Sequence, residues 1–222
     1  MNPTFWKSIS LNSSTVTLLL DLAGTDHLTS IMFLTLLLCY WWHCFHLSAD
    51  EVTGVTYLNN VVYIVCRGSS TIRLYNMDAS ACSPFVIDVD GMTYPRDIVV
   101  CLDDRALYVA DFSYSGSLRI WRASVDDHSY VTWLTLSSAD TFNVWTLSLT
   151  SRHLLVTSSQ SCTLEQYSTV DKQLLRIVRL PRFVNGLYHS VETTRQTFVI
   201  GYGCTSQDKW QWAVSELFVF SK

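Results

Sequence analysis

The chain has 222 residues, 49% of them hydrophobic and only 15% charged, a composition that can bury a core and excludes an intrinsically disordered chain. Its net charge of −4, with Lys and Arg scattered instead of gathered in runs, gives no long-range pull toward phosphate and argues against nucleic acid as a partner. Eight Trp, eleven Tyr and ten Phe, together with abundant Thr, Ser and Val, favour pleated, half-buried surfaces over helices.

The chain divides near residue 50, giving an N-terminal region 1–48 and a second region 49–222. From His27 to Ala49 there is no Asp, Glu, Lys or Arg, and Ile31 to Leu47 is apolar apart from Thr35, His43 and His46. That is about the length that crosses a hydrocarbon core as a helix, and Tyr40-Trp41-Trp42 would suit the headgroup level at one end. Against this, His43 and His46 are costly at depth, and Lys7 alone precedes the segment, so charge sets no orientation. Two readings stand side by side: a membrane anchor through residues 28–48, or an apolar segment packed on a cytoplasmic domain. A strand-like stretch, Thr15 to Leu22, lies earlier still.

Beyond residue 50 the informative feature is repetition. Four stretches read turn and then short apolar strand: Leu58 to Val65, Leu102 to Val109, Leu149 to Val156 and Glu192 to Val199. They superpose without gaps, and Asn60, Arg105, Arg152 and Arg195 fall in register at intervals of 45, 47 and 43 residues. Short strands precede the first three, at Gly54–Tyr57, Asp97–Val100 and Val144–Leu147. Third strands follow at Thr71–Tyr75, Ser117–Trp121 and Thr163–Tyr167, at intervals of 46 and 46. Fourth strands are expected at Phe85–Val89, Val131–Leu134 and Arg176–Leu180. In the last unit Trp210, Trp212 and the run Glu216–Phe220 are expected to supply the third and fourth strands. Four strands in a period of this length make one propeller blade. The fold expected is therefore all-β, a β-propeller or open propeller arc of about four four-stranded blades, preceded by the apolar, helix-length N-terminal segment. An open arc would expose sheet edges and favour self-association.

Tyr94-Pro95-Arg96-Asp97-Ile98-Val99-Val100, followed by Leu107-Tyr108-Val109-Ala110-Asp111 and Ser117-Leu118-Arg119-Ile120-Trp121, resembles an NHL-type repeat. More loosely it is similar to the six-bladed, TolB-like propeller superfamily. The resemblance covers about residues 50–220, and the second repeat carries it best; where the Asp would stand, the first repeat has Arg67, the third Ser158 and the fourth Gly201. It implies a binding platform, with RNA or protein taken on one face. Lactonase-type relatives hold a divalent metal with inner-strand Glu, Asn and Asp. The inner-strand positions here, Val55, Thr56, Ile98, Val99, Thr146 and Leu147, are apolar or weakly polar.

Other chemistry is thin. The seven cysteines form no C-x-x-C pair, and Cys66 and Cys101 sit in apolar runs, where a thiol behaves as a small buried hydrophobe. Asp103-Asp104 and Asp126-Asp127 fall in turns, where Asp bonds its own backbone. No catalytic residue, cofactor or metal site is expected. Arg105, Arg152 and Arg195 recur at one blade position and are the candidate binding residues, suited to a protein or peptide ligand with carboxylates. The functional expectation is a non-catalytic platform for a protein or peptide partner. The alternatives are an RNA-binding propeller, a metal-dependent hydrolase propeller, and a shortened chain without independent function.

Overall fold

Each apolar run in the second region is too short for a buried helix and is bounded by turn residues, so the backbone satisfies its hydrogen bonds between neighbouring strands. The computed structural model describes residues 51–78, 83–112, 117–137, 145–150, 152–158, 163–180, 185–194, 197–206 and 209–218. Fifteen strands form four antiparallel sheets. The first holds β1 (Val52–Leu58), β2 (Val61–Cys66), β3 (Thr71–Asn76) and β4 (Phe85–Asp88). The second holds β5 (Pro95–Cys101), β6 (Ala106–Phe112), β7 (Ser117–Ser124) and β8 (Tyr130–Ser137). The third holds β9 (Trp145–Thr150), β10 (His153–Ser158), β11 (Thr163–Ser168) and β12 (Leu174–Arg179), and the fourth β13 (Asn185–Thr194), β14 (Thr197–Ser206) and β15 (Lys209–Phe218).

Strands within each sheet follow chain order, and the sheets stack through their first strands, β1 on β5, β5 on β9 and β9 on β13. This is a fan of blades around an axis. Burial follows the radius. The second strands β2, β6 and β10 are buried on both faces, the third strands alternate, and the outer strands β4 and β12 expose Phe85, Val86, Leu174, Leu175 and Ile177. Period-2 alternation sends Tyr63 and Val65 into a core shared with Ile98, Leu107 and Val109 of the second blade. Val62, Ile64 and Cys66 join Val52 and Tyr75 in a separate cluster on the opposite face of the first sheet. Between the second and third blades Trp133 stands edge-on to both Tyr108, at 5.2 Å, and Tyr167, at 6.3 Å, a geometry that suits the ring quadrupoles.

The backbone approaches most closely between the first two inner strands. A Cβ on Gly54 would lie 2.7 Å from the Ile98 nitrogen and 2.9 Å from the Asp97 Cα, so only glycine fits there. Thr53 Oγ1 donates to the Pro95 carbonyl at 2.8 Å across the same seam.

The expected strands are present in the first three blades, apart from Val144, which lies outside the described residues. The fourth blade differs. Trp210, Trp212 and the start of the 216–220 run belong to one ten-residue strand, β15, and not to a third and a fourth; residues 219–222 lie outside the described residues. Its inner strand β13 carries three register shifts, which break the period-2 pattern that would have marked it in the sequence. One counterpart also changes. Pro95 pairs with Asp111 as Val52 pairs with Cys66, so Cys66, not Arg67, stands where the first repeat would carry the Asp; Arg67 is the next residue, already past β2. Among the described residues no helix is long and apolar enough to cross a membrane, and the 28–48 segment and Thr15–Leu22 lie outside them.

Candidate binding faces

Antiparallel strands in chain order put the first and third hairpin turns of every blade at one end, and the second turns and inter-blade crossovers at the other. The two ends are built from different chemistry.

At the hairpin end the turns repeat in detail. Asn59 and Asn60 have φ of 49° and 60°, the left-handed pair that a two-residue hairpin loop between Leu58 and Val61 requires. The carbonyls of Asn60, Arg105 and Arg152 accept the backbone N–H of Met77, Val125 and Thr169, so the gap-free sequence register is also a structural one. The third hairpins form a second repeat. Ser124 Oγ accepts the N–H groups of Asp126 and Asp127, Ser168 Oγ those of Val170 and Asp171, and a left-handed residue, His128 or Lys172, completes each turn. Bonds from Ser124 and Ser129 pull Asp127 down to about 2, and Ser168 likewise lowers Asp171. Both aspartates are turn-makers, as the sequence position of Asp127 suggested.

Arg105 and Arg152 both lie at this end. Arg105 is exposed and chelated by Asp126, with Nε to Oδ1 at 2.9 Å and Nη2 to Oδ1 at 2.6 Å, and this pairing lowers the carboxylate's pKa. Arg152 is exposed at its turn. Arg195 lies outside the described residues.

At the crossover end the organising residue is Asp111, fully buried at the close of β6. Its Oδ1 accepts the backbone N–H of Thr93 at 3.0 Å and of Tyr94 at 2.6 Å, and its Oδ2 accepts Arg119 Nη2 at 3.0 Å and Trp121 Nε1 at 3.1 Å. One carboxylate thereby ties the crossover between blades one and two to β7. Arg119 reaches on to the Gly91 carbonyl and lies over the Trp121 ring. Asp111 acts inside the fold and does not face a ligand.

A second carboxylate, which the sequence reading had counted only as the start of a strand, is Asp97 on the inner strand β5. Its oxygens accept the N–H of Ile98 and, across the seam to β9, of Leu147, each at 2.8 Å. Desolvation raises Asp97 to about 7 despite these bonds. Of the inner-strand positions weighed for a metal, Ile98 and Leu147 are buried in the core. On β13 burial pushes His189 down to about 4, and Glu192 is held by Gln166 Nε2 at 2.6 Å and by Arg176. Cys66 and Cys101 are buried free thiols, as their apolar runs implied, and burial raises Cys101.

The feature that sequence reasoning missed lies in the seam between blades one and two. Arg67, just past β2, and Arg96, in β5, both set a guanidinium against the Tyr94 ring, at 5.3 Å and 4.5 Å from its centroid. Arg67 pairs with Glu51 at 2.7 Å. Among the described residues Arg96 has no ion pair with a carboxylate, and its pKa is lowered, by burial above all and by the neighbouring Arg67, against the opposing pull of Tyr94 and Glu51. Tyr94-Pro95-Arg96 is a visible tripeptide, but Arg67 is distant in sequence and only the stacking of two blades brings it alongside.

Four radially graded antiparallel sheets joined through their inner strands define a β-propeller arc. Solved structures share the architecture: the Kuenenia stuttgartiensis hydrazine synthase (TM-score 0.57, 12% identity, 76% of this chain and 51% of that one) and the RRP9 WD40 repeats (0.53, 10%, 70% and 46%). The Myceliophteria thermophila Cps50 (Swd1) β-propeller domain is also similar (0.51, 9%, 69% and 51%). The chain thus spans about half the length of these propellers. No protein-family description and no curated protein matches the sequence.

Proposed function

We propose that this propeller arc is a non-catalytic platform that holds a protein or peptide partner on one of its two loop faces. The observation that carries this reading is the commitment of the buried carboxylates. Asp111, Asp97 and Glu192 each spend both oxygens on backbone or side-chain donors, and each ties its strand to another strand or blade through at least one of them. The loops at the two ends of the arc, by contrast, present side chains without burying them, which suits recognition. Within the propellers, the Pro95, Asp111 and Arg119 pattern of the second blade supports an NHL-type origin.

RNA is the second reading, favoured by the shared position of Arg105 and Arg152, though the Asp126 partner already occupies Arg105. The test uses the full chain with three probes: a mixed set of labelled decapeptides, single-stranded RNA, and calcium with lactone substrates. The platform predicts saturable binding of a subset of the peptides, with neither RNA retention nor turnover. Salt-sensitive RNA retention that disappears when Arg105, Arg152 and Arg195 become Ala would replace it with the RNA reading, and calcium-dependent hydrolysis would replace it with an enzyme.

A further inference from the structure

The seam between blades one and two holds an unusual charge arrangement. Two guanidiniums from different blades converge on one aromatic ring; Glu51 is bonded to Arg67 and acts on Arg96 only through space, so among the described residues Arg96 has no carboxylate in direct contact. A part-buried guanidinium without a bonded anion gains from one. The backbone from which the ring projects is fixed, because the Tyr94 N–H is bonded to Asp111 at 2.6 Å and its carbonyl accepts Phe112 N–H at 3.0 Å. The latch that holds the crossover therefore also presents the platform.

We propose that Arg67, Tyr94 and Arg96 form a carboxylate-binding site that takes an acidic side chain of a bound peptide, with Arg96 as the principal anchor. This rests on the platform reading and gives it a face and a ligand chemistry. Two points favour a carboxylate. The guanidinium fork matches a carboxylate with two parallel bonds. The Arg67–Glu51 pair shows that a carboxylate fits beside this ring. The Tyr94 ring offers an apolar shelf for the methylenes of a glutamate.

The probe is a fluorescein-labelled decapeptide of alternating Glu and Gly, titrated by anisotropy into the full chain, beside the matching Gln and Gly peptide. The acidic peptide is expected to bind more tightly, and Arg96→Gln to weaken it by about tenfold or more. Arg96→Lys should recover part of that loss, since it keeps the charge and loses the fork. Lys172→Gln, at an exposed turn of the opposite end, should leave the affinity unchanged. If Arg96→Gln unfolds, as circular dichroism would reveal, Arg96→Lys and Arg67→Gln carry the comparison. Binding of the acidic peptide that is insensitive to Arg96 and Arg67 overturns this site while leaving the platform standing. Failure of either peptide, and of the mixed set above, to bind overturns both. Displacement of the peptide by inorganic phosphate at concentrations where acetate has no effect overturns the carboxylate assignment.

Discussion

Replacing Asp111 with Asn changes almost no volume but reverses the hydrogen-bonding sense of one end of a fully buried group. The amide oxygen can still accept two of the four donors, from the Thr93 and Tyr94 backbone or from Arg119 and Trp121, while the amide NH2 is driven against the other pair. Two donors then lose their acceptor, either the two backbone amides or the part-buried Arg119 guanidinium with the Trp121 indole. At about 1–3 kcal/mol for each orphaned group, the expected loss is about 2–5 kcal/mol. That is a large share of the roughly 5–15 kcal/mol that holds a folded domain. Urea unfolding of the full chain, followed by far-ultraviolet circular dichroism and tryptophan fluorescence, would read it as a lower midpoint at unchanged slope. Ser158→Ala, at the equivalent position of the third blade, is expected to cost only about 1 kcal/mol. A loss below about 1 kcal/mol for Asp111→Asn would refute the view that this carboxylate ties the crossover to its blade.

Asp97 gives a pH dependence of defined sign. Its folded pKa, about 7, lies above the ordinary 3.8, so the folded state binds the extra proton and this residue's contribution is most favourable below about pH 4 and is lost as pH rises to about 7. Stability of the parent relative to Asp97→Asn should therefore fall across that window by up to about 4 kcal/mol, from three units at 1.36 kcal/mol each; a flat or rising difference between the two melting series would contradict it. Gly54→Ala forces a methyl into the Ile98 and Asp97 backbone, and the inner strands must part. The cost should be about 1–3 kcal/mol, with faster amide exchange in β1 and β5, and an unchanged melting temperature would show that the seam has room. Asn60→Val places a β-branched residue at φ 60°, and should cost about 1–3 kcal/mol, whereas Asn60→Gly should be close to neutral.

Blade periodicity was legible because it is written in local chemistry. A turn residue, a short apolar strand and an alternating third strand recur at nearly constant spacing, and the carbonyls of Asn60, Arg105 and Arg152 make the same bond in three blades. The turn role of Asp127 was legible for the same reason, since its partners Ser124 and Ser129 are sequence neighbours. What was not legible depends on surfaces from separate blades. Asp97 looked like a strand residue because its charge is set by its seam with Leu147, fifty residues away. Cys66 as the counterpart of Asp111 was legible in the register of Asn60 with Arg105, 45 residues apart, and the reading of Arg67 there was one position off. Strand β13 escaped because its bulges erase alternation. Recurring arginines drew attention to the hairpin end, but recurrence reports the turn geometry that the blades share, whereas the cationic seam at the crossover end occurs once among the described residues.

The crossover end of the arc is expected to receive the partner, and amide hydrogen exchange on the full chain tests that directly. With the alternating Glu and Gly decapeptide at saturation, protection should rise around 66–70 and 89–96, where Arg67, Tyr94 and Arg96 stand. The hairpin tips at 102–105, 125–129 and 169–173 should exchange as in the free chain. Protection at those tips instead, with the crossover segments unchanged, would contradict the account and return the binding role to the face that carries Arg105 and Arg152.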